Sequence, residues 1–513
     1  LIIALIGLSA PSCSDSMLDF SPTDSGSGKE LLKSASTAIT SVNGVYRSMW
    51  TAGWSTTANT HQCFGIAAYN LALDCMADDL IMQSQGNGWF WGDHCYNVKS
   101  NYTSSAFRSY DVWYANYKWI ANVNYIIDAE PEMAGTEADV AYVAGQAYAI
   151  RALCYLNLAT WFSRAPYNSL TGASRWNEPC VPVYTTGTSI DTGGQPRESL
   201  RTVYGRIDQD IDRAIELLEK ARETTLAENN KSHINLYVAL GIKSRACLAE
   251  GDWDGAFKAA KRVIDEGGYA VGTKSDLTGG MNSLDKQNVM WGAGIQVADQ
   301  AGGYAGFFTH MDNKEGAYAK SAPKLISKQL YNRISATDIR RDWWDPSDKE
   351  SPYVSKKFSF ANVASFLGDY IYMRVEEMYF TAAEAALRLD DLKSARELMN
   401  TVMAERDPGY SANNRSGTLL GATTTTWTGS FLENILTHRR IELWGEYGRL
   451  FDVRRLGQGI DRRTDDGFSE ECISMMNRRN VNITKADTYD WVLTIPKAEL
   501  DANPNINEED QNP

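Results

Sequence analysis

Residues 246–263, ACLAEGDWDGAFKAAKRV, decide the fold, because residues 385–402, AALRLDDLKSARELMNTV, repeat their pattern. Ala246, Leu248, Trp253, Ala256 and Val263 recur as Ala385, Leu387, Leu392, Ala395 and Val402, a period of 139 residues. Each unit reads as a helix, a tight polar turn (Gly251-Asp252; Asp390-Asp391) and a second helix. The small residues Ala246 and Ala256, and their counterparts, let the paired helices approach closely. This is the logic of a tetratricopeptide unit of about 34 residues. Segments 139–162 and 199–220 read as a third pair, with Ala152 and Ala214 in comparable roles and the turn opened by an inserted loop. In 139–162, Val143, Ala147, Ile150, Cys154, Leu158 and Trp161 fall 3 and 4 apart and form one apolar stripe. Such pairs cannot bury their apolar faces alone, so they stack into a curved right-handed array.

Helical stripes extend outward to 35–50, 110–128, 371–389 and 431–446. Between them, 51–109, 163–198, 271–369 and 461–513 are rich in Gly, Ser, Asn and aromatic residues. Loops this long in a compact chain are usually functional. Length alone, at 513 residues, suggests about three domains of ~150 residues. The interleaving instead predicts one mainly α domain over 35–513. Its tetratricopeptide-like scaffold occupies 35–50, 110–162, 199–266 and 371–460, and the four long segments form a loop-rich second lobe.

The chain is 43% hydrophobic and 22% charged, a balance that supports a large core. Its net charge of -14 argues against nucleic acid, which requires clustered Lys and Arg. Trp equals Phe at 15 each and Tyr reaches 26, so rings with a polar handle dominate.

Leu1 to Ala10, LIIALIGLSA, is too short to span a bilayer, which takes about 20 residues. It fits the apolar region of a signal peptide over 1–12 with its start truncated. Cys13 follows, and then a polar Ser-, Gly- and Asp-rich stretch that reads as a tether over 13–34. A cysteine between such segments is the expected lipidation site of a bacterial lipoprotein, with Ala10 where Leu is usual. The remaining Cys63, Cys75, Cys95, Cys154, Cys180, Cys247 and Cys472 form no C-x-x-C pair. Cys154 and Cys247 read as small buried residues. Sequence leaves open one bridge among Cys63, Cys75 and Cys95.

The charge-dense stretch 438–455 places Arg440, Glu442, Glu446, Arg449 and Asp452 on one side of a continuous helix. Arg449 is expected to bridge Glu446, as part of a structural ion-pair lattice. The adjacent acids Asp78-Asp79, Glu376-Glu377 and Glu470-Glu471 point in different directions on a helix or strand, and glycoside hydrolysis needs two carboxyls facing each other. His61, His94, His233, His310 and His438 have no metal-ligand spacing. Nothing here predicts catalysis, a metal or a cofactor.

Gly88-Trp89-Phe90-Trp91-Gly92, Trp291-Gly292-Ala293-Gly294 and Gly303-Tyr304-Ala305-Gly306 are glycine-bounded aromatic loops. A pyranose presents a flat C–H face and a polar rim, so it stacks on such rings while amides and charged groups bond its hydroxyls. Trp89, Trp91, Trp291 and Tyr304 are therefore the candidate glycan-binding residues.

Five segments in order resemble the SusD/RagB outer-membrane nutrient-binding lipoproteins of Bacteroidetes. They are Cys13-Ser14-Asp15-Ser16-Met17-Leu18-Asp19 with Pro22; Gly145-Gln146-Ala147 through Arg151-Ala152 and Tyr155 to Ala165-Pro166-Tyr167; and Arg374-Val375-Glu376-Glu377-Met378-Tyr379 with Ala383-Glu384-Ala385. The fourth is His438-Arg439-Arg440-Ile441-Glu442-Leu443 with Glu446, Gly448-Arg449 and Asp452-Val453-Arg454-Arg455. The last is Ile495-Pro496, Glu499, Asn503-Pro504 and Gln511-Asn512-Pro513. Gln146 stands where Glu is usual, Glu376 where Ala is common, and the glycine before Arg449 is transposed with its neighbour.

The resemblance implies a non-catalytic lipoprotein at the outer membrane, anchored through Cys13 and facing outward. It would capture an oligosaccharide and deliver it to a SusC-type TonB-dependent transporter. The other readings are a surface glycoside hydrolase and a capture protein for a non-glycan nutrient such as a peptide.

Overall fold

The computed structural model describes residues 28–52, 60–97, 107–189, 191–227, 231–299, 305–486 and 488–513. The expectations for the signal peptide, Cys13 and Tyr304 lie outside them. The longer helices are α1 (Ala35–Ser48), α2 (Ile66–Met76), α3 (Phe107–Ala129), α4 (Glu137–Phe162), α5 (Leu200–Lys220), α6 (Leu236–Glu250), α7 (Trp253–Glu266), α8 (Val375–Arg388), α9 (Leu392–Ala404), α10 (Phe431–Glu442) and α11 (Arg449–Leu456). Helices α3 to α9 pack each on the next, so the three expected pairs, α4–α5, α6–α7 and α8–α9, form one continuous stack. Cys247, Leu248, Ala256 and Ala385 seal the joint between the second and third pairs, with Trp253 and Phe257 against them. Leu248, Trp253, Ala256 and Ala385 are repeat positions, and Ala385 supplies the closeness that a larger residue would deny.

The polar turns have a local cause. Asp252 and Asp391 cap the following helices by accepting from the Gly255 and Ser394 amides. Thr136, Ser199, Asn235 and Ser430 cap α4, α5, α6 and α10 in the same way. At the first turn Gly251 ends α6 with φ +76, and a Cβ there would lie 2.5 Å from the Tyr167 ring.

Two expected helices are shorter than their stripes. Residues 370–374 are strand, not helix: Tyr370–Arg374 pairs antiparallel with Val289–Ala293, Met373 opposite Trp291 and Tyr370 opposite Ala293. Alternating aromatic and branched residues favour the pleat here, and the helix begins at Val375. Gly292 permits the pairing, since a Cβ would sit 2.2 Å from the Tyr370 carbonyl oxygen. The stripe 431–446 stops at Glu442, because Gly445 and Gly448 take left-handed backbone (φ +75 and +90). Residues 438–455 are thus two helices across a bend.

The loop-rich lobe also holds helix α2 and a small antiparallel sheet. In that sheet Leu80–Ile81 pairs with Leu325–Ile326, that strand with Val354–Ser355, and Val354–Ser355 with Trp344–Asp345. Cys63, Cys75, Cys95, Cys154, Cys180, Cys247 and Cys472 are buried free thiols, so no bridge joins the first three. Among the described residues no helix is long and apolar enough to cross a membrane.

Candidate functional site: an aromatic cleft beside a buried ion lattice

The charge-dense stretch is largely interior and densely paired. Glu442 accepts from Arg340 Nη1 (3.1 Å), Arg374 Nη1 (2.9 Å), and Arg406 Nε and Nη2 (2.9 Å each). Burial pushes its carboxyl up, but Arg406, Arg374 and Arg340 outweigh this and hold it well below the usual range. Glu446 is bridged by Arg374 and Lys357, not by the expected Arg449. The bend after Glu442 turns Arg449 away, onto Asp78 and Asp79 at 3.2 and 3.0 Å. Arg440 meets the same two acids. Asp78 and Asp79 therefore converge rather than diverge, but on two guanidiniums in the core. Glu377 and Glu384 are likewise held by Arg245 and Arg455 at 2.7 and 2.8 Å. Glu442 and Glu446, both held below the usual range by their cationic neighbours against the opposing effect of burial, are fixed as anions away from water. Among the described residues no cluster of His, Cys, Asp and Glu fits a metal ion.

The aromatic loops divide. Gly86 and Gly88 adopt positive φ, as does Phe90, and the turn directs neighbouring rings apart. Trp89 is half-buried, stacked on His61 (5.1 Å, 26°) and edge-on to Tyr318 (6.1 Å). Trp91, 3% exposed, tilts against His94 at 5.7 Å. It starts a short helix whose ring side faces the core, so it offers no face to a sugar, contrary to expectation.

Trp291 also departs from expectation, at 1% exposure. Its indole donates to the Ser232 carbonyl (3.1 Å) and its ring meets Tyr372 edge-on at 5.0 Å. It lies in the floor of a cleft of about 270 Å³ with Tyr46, His233 and Tyr372, rimmed by Asn43, Arg47, Trp50 and Gln296. The floor is rigid. Tyr46 stacks on His233 (5.1 Å, 21°), donates to Gln146 (2.9 Å) and accepts from the Ile234 amide (3.0 Å). His233 Nε2 lies 2.6 Å from Asn43 Oδ1. The Tyr372 hydroxyl is buried beneath this floor without a hydrogen-bond partner. Trp50, half-buried at the end of α1, carries the Arg47 guanidinium 5.3 Å from its ring centre.

The cleft therefore combines flat rings with amide and guanidinium groups, the chemistry expected of a sugar site, but its accessible ring is Trp50. The sequence signal was present: Arg47 and Trp50 end an amphipathic helix three residues apart. No glycine brackets them, so the loop pattern passed over them. Trp89 belongs to a separate cluster with His61 and Tyr318.

The SusD family model matches residues 319–513. A second model, described as starch-binding associating with outer membrane, matches residues 37–248. Among solved structures, a SusD-like carbohydrate binding protein from Bacteroides vulgatus aligns at TM-score 0.73 and 25% identity, over 93% of this chain and 98% of its own. A SusD superfamily protein from Bacteroides thetaiotaomicron aligns at TM-score 0.73 and 22% identity, over 94% and 100%. Surface glycan-binding protein A from Bacteroides thetaiotaomicron in complex with laminarihexaose aligns at TM-score 0.65 and 16% identity, over 93% and 99%. No curated protein is significantly similar in sequence.

Proposed function

Because the chain belongs to the SusD/RagB family, we propose that it is a non-catalytic glycan-binding protein of the outer membrane. It captures an oligosaccharide in the Trp50–Trp291 cleft and delivers it to a SusC-type TonB-dependent transporter. The observation that carries this reading is the cleft itself: a pinned aromatic floor under a rim of ring, amide and guanidinium. A sugar stacks its C–H face on Trp50 while Asn43, Arg47 and Gln296 bond its hydroxyls. Trp89 and Tyr304 are candidates for further rings along a longer glycan. Lipidation of Cys13 supplies the anchor, and the polar stretch after it lets the domain reach the transporter mouth. The expected tether 13–34 is shorter than its bounds, since Gly28–Leu31 is helical and Lys33 and Ser34 pair with Ala134.

Affinity electrophoresis in gels containing laminarin, starch or other polysaccharides tests glycan capture. At least one polymer should retard the protein, and Trp50→Ala should abolish most of that retardation. Unchanged mobility in every gel, or release of reducing sugar by the purified protein, counts against the reading. Co-purification of a transporter with the lipidated protein, lost on Cys13→Ala only when membranes are washed, tests the partnership.

A further inference from the structure

A second concavity, of about 410 Å³, lies between helix α3 and the wall formed by Tyr184, Thr188, Ser189 and Thr192, against Glu499. It shares no residue with the Trp50–Trp291 cleft. Its rings come from Trp113, Tyr117 and Tyr184, and its polar groups from Lys118, Thr192 and Glu499. Tyr117 and Tyr184 meet at 90° with centroids 5.9 Å apart, making a right-angled corner. Trp113 adds a third ring 4.8 Å from Tyr117 and is fixed by its indole donating to Glu499 Oε2 (3.2 Å).

The wall opposite α3 is held in place from behind. Tyr155 accepts from the Tyr184 amide (2.7 Å) and donates to the Tyr184 carbonyl (2.9 Å). Asn124 donates to the Tyr184 and Thr186 carbonyls (3.2 and 3.0 Å). Arg151, itself clamped by Asp210, donates to the Thr185 carbonyl (2.8 Å). Asp128 accepts from the Gly187 amide at 2.7 Å, and Tyr117 donates to the Pro182 carbonyl at 2.7 Å. A loop beside apolar rings would gain contacts by collapsing onto them. This one is pinned by a buried guanidinium, one side-chain amide, two phenols and a carboxylate so that it stands away, and the cavity persists.

We propose that this groove is a second carbohydrate subsite, taking one or two hexopyranose units of the same glycan chain. The proposal rests on the glycan-capture reading. A few fixed polar groups around mostly apolar, preformed walls are what a small-ligand site requires. A ring corner suits a pyranose, which stacks on one ring while its edge meets the other. Lys118, Thr192 and the phenol of Tyr184 then face hydroxyls. Burial raises the Tyr117 and Tyr184 phenols above their ordinary values, so both stay protonated; Tyr117 gives its proton to the Pro182 carbonyl, and Tyr184, which accepts from the Gln195 amide, keeps its own for a ligand.

Calorimetric titration with laminarihexaose, maltohexaose and cellohexaose tests it, using the parent, Trp50→Ala, Ala121→Phe and Tyr117→Ala. Ala121 lines the groove, and a phenyl there fills it without removing any bond of the wall. For the sugar that binds, the parent should show two sites. Trp50→Ala should leave one, and Ala121→Phe should weaken the other at least tenfold, with melting unchanged. A single site abolished by Trp50→Ala and untouched by Ala121→Phe overturns the subsite and leaves the main reading standing. Failure of all three sugars to bind, in a protein also unretarded by polysaccharide, sinks both. An Ala121→Phe variant that binds sugar normally but loses a co-purifying transporter overturns the subsite in favour of protein docking.

Discussion

Replacing Glu442 by Gln tests whether the charge-dense stretch is structural. The lattice holds Arg340, Lys357, Arg374 and Arg406 against Asp338, Glu376, Glu442 and Glu446, four charges of each sign. In Glu442→Gln the amide turns an N–H₂ toward two guanidinium donors, so two of the four bonds are lost and one buried positive charge is uncompensated. Breaking a buried pair from one side costs about 3–5 kcal/mol. For 513 residues, at about 2.1 cal/mol/K each, unfolding entropy is about 1.1 kcal/mol/K, so the melting temperature should fall by about 3–5 °C. The pH dependence has a definite sign. The folded carboxyl lies well below its unfolded value, so its stabilisation is complete above about pH 4.5 and is lost only as pH falls through the folded value. Differential scanning calorimetry of parent and variant from pH 8 to pH 3 should give a constant gap down to about pH 5, closing below. Glycan retardation of the folded variant should equal that of the parent. A gap under 1 °C, or one already closing at pH 6, would refute the assignment, and lost binding with unchanged melting would move Glu442 into the site.

Trp50→Ala removes the accessible ring of the cleft; a buried Trp anchor is worth ~2 kcal/mol or more, so affinity should drop about thirtyfold by titration. Gly65→Ala should fail to accumulate or melt several degrees early, because a Cβ would stand 1.8 Å from the Met49 carbonyl oxygen at φ +68. Normal melting would show that the α1–α2 approach is slack. Glu250 is pushed up to about 8, first by burial and then by Asp208 and Asp252. Its ionisation therefore costs stability as pH rises from the unfolded value toward 8. Glu250→Gln should melt with the parent below pH 4, gain on it between pH 4.5 and 8, and hold a constant lead above. A lead that is the same at all pH values would contradict this.

The helical pairs were legible because the stripes at 246–263 and 385–402 carry both the small residues and the capping aspartates that the joint uses. The strand at 370–374 was not, since a short run of aromatic and branched residues leading into a helical stripe has no period of its own. It becomes a strand only because Val289–Ala293, 80 residues away, lies beside it. The ion lattice was legible in kind but not in pairing. Gly445 and Gly448 bend the chain between Glu442 and Arg449, and the replacement partners, Lys357 and Arg374, lie on other elements. At the site, glycine-bounded aromatics signalled rings near the surface without saying which ring faces out. Trp91 and Trp291 turned inward, and Trp50 stood on a helix end where no loop signal marks it.

The clamp on Asp78 and Asp79 spans almost the whole polypeptide. Arg440 and Arg449 reach back across more than 360 positions, and Arg462 donates to the Cys75 and Ala77 carbonyls from farther still. Closing so wide a circuit is slow and entropically unfavourable until its last members exist. Maturation should therefore be late and all-or-none. The segment from 60 to 97 has no settled home until the final hundred residues arrive, so a nascent or C-terminally clipped chain would present α2 as a sticky, protease-sensitive flap while its central hairpins were already in place.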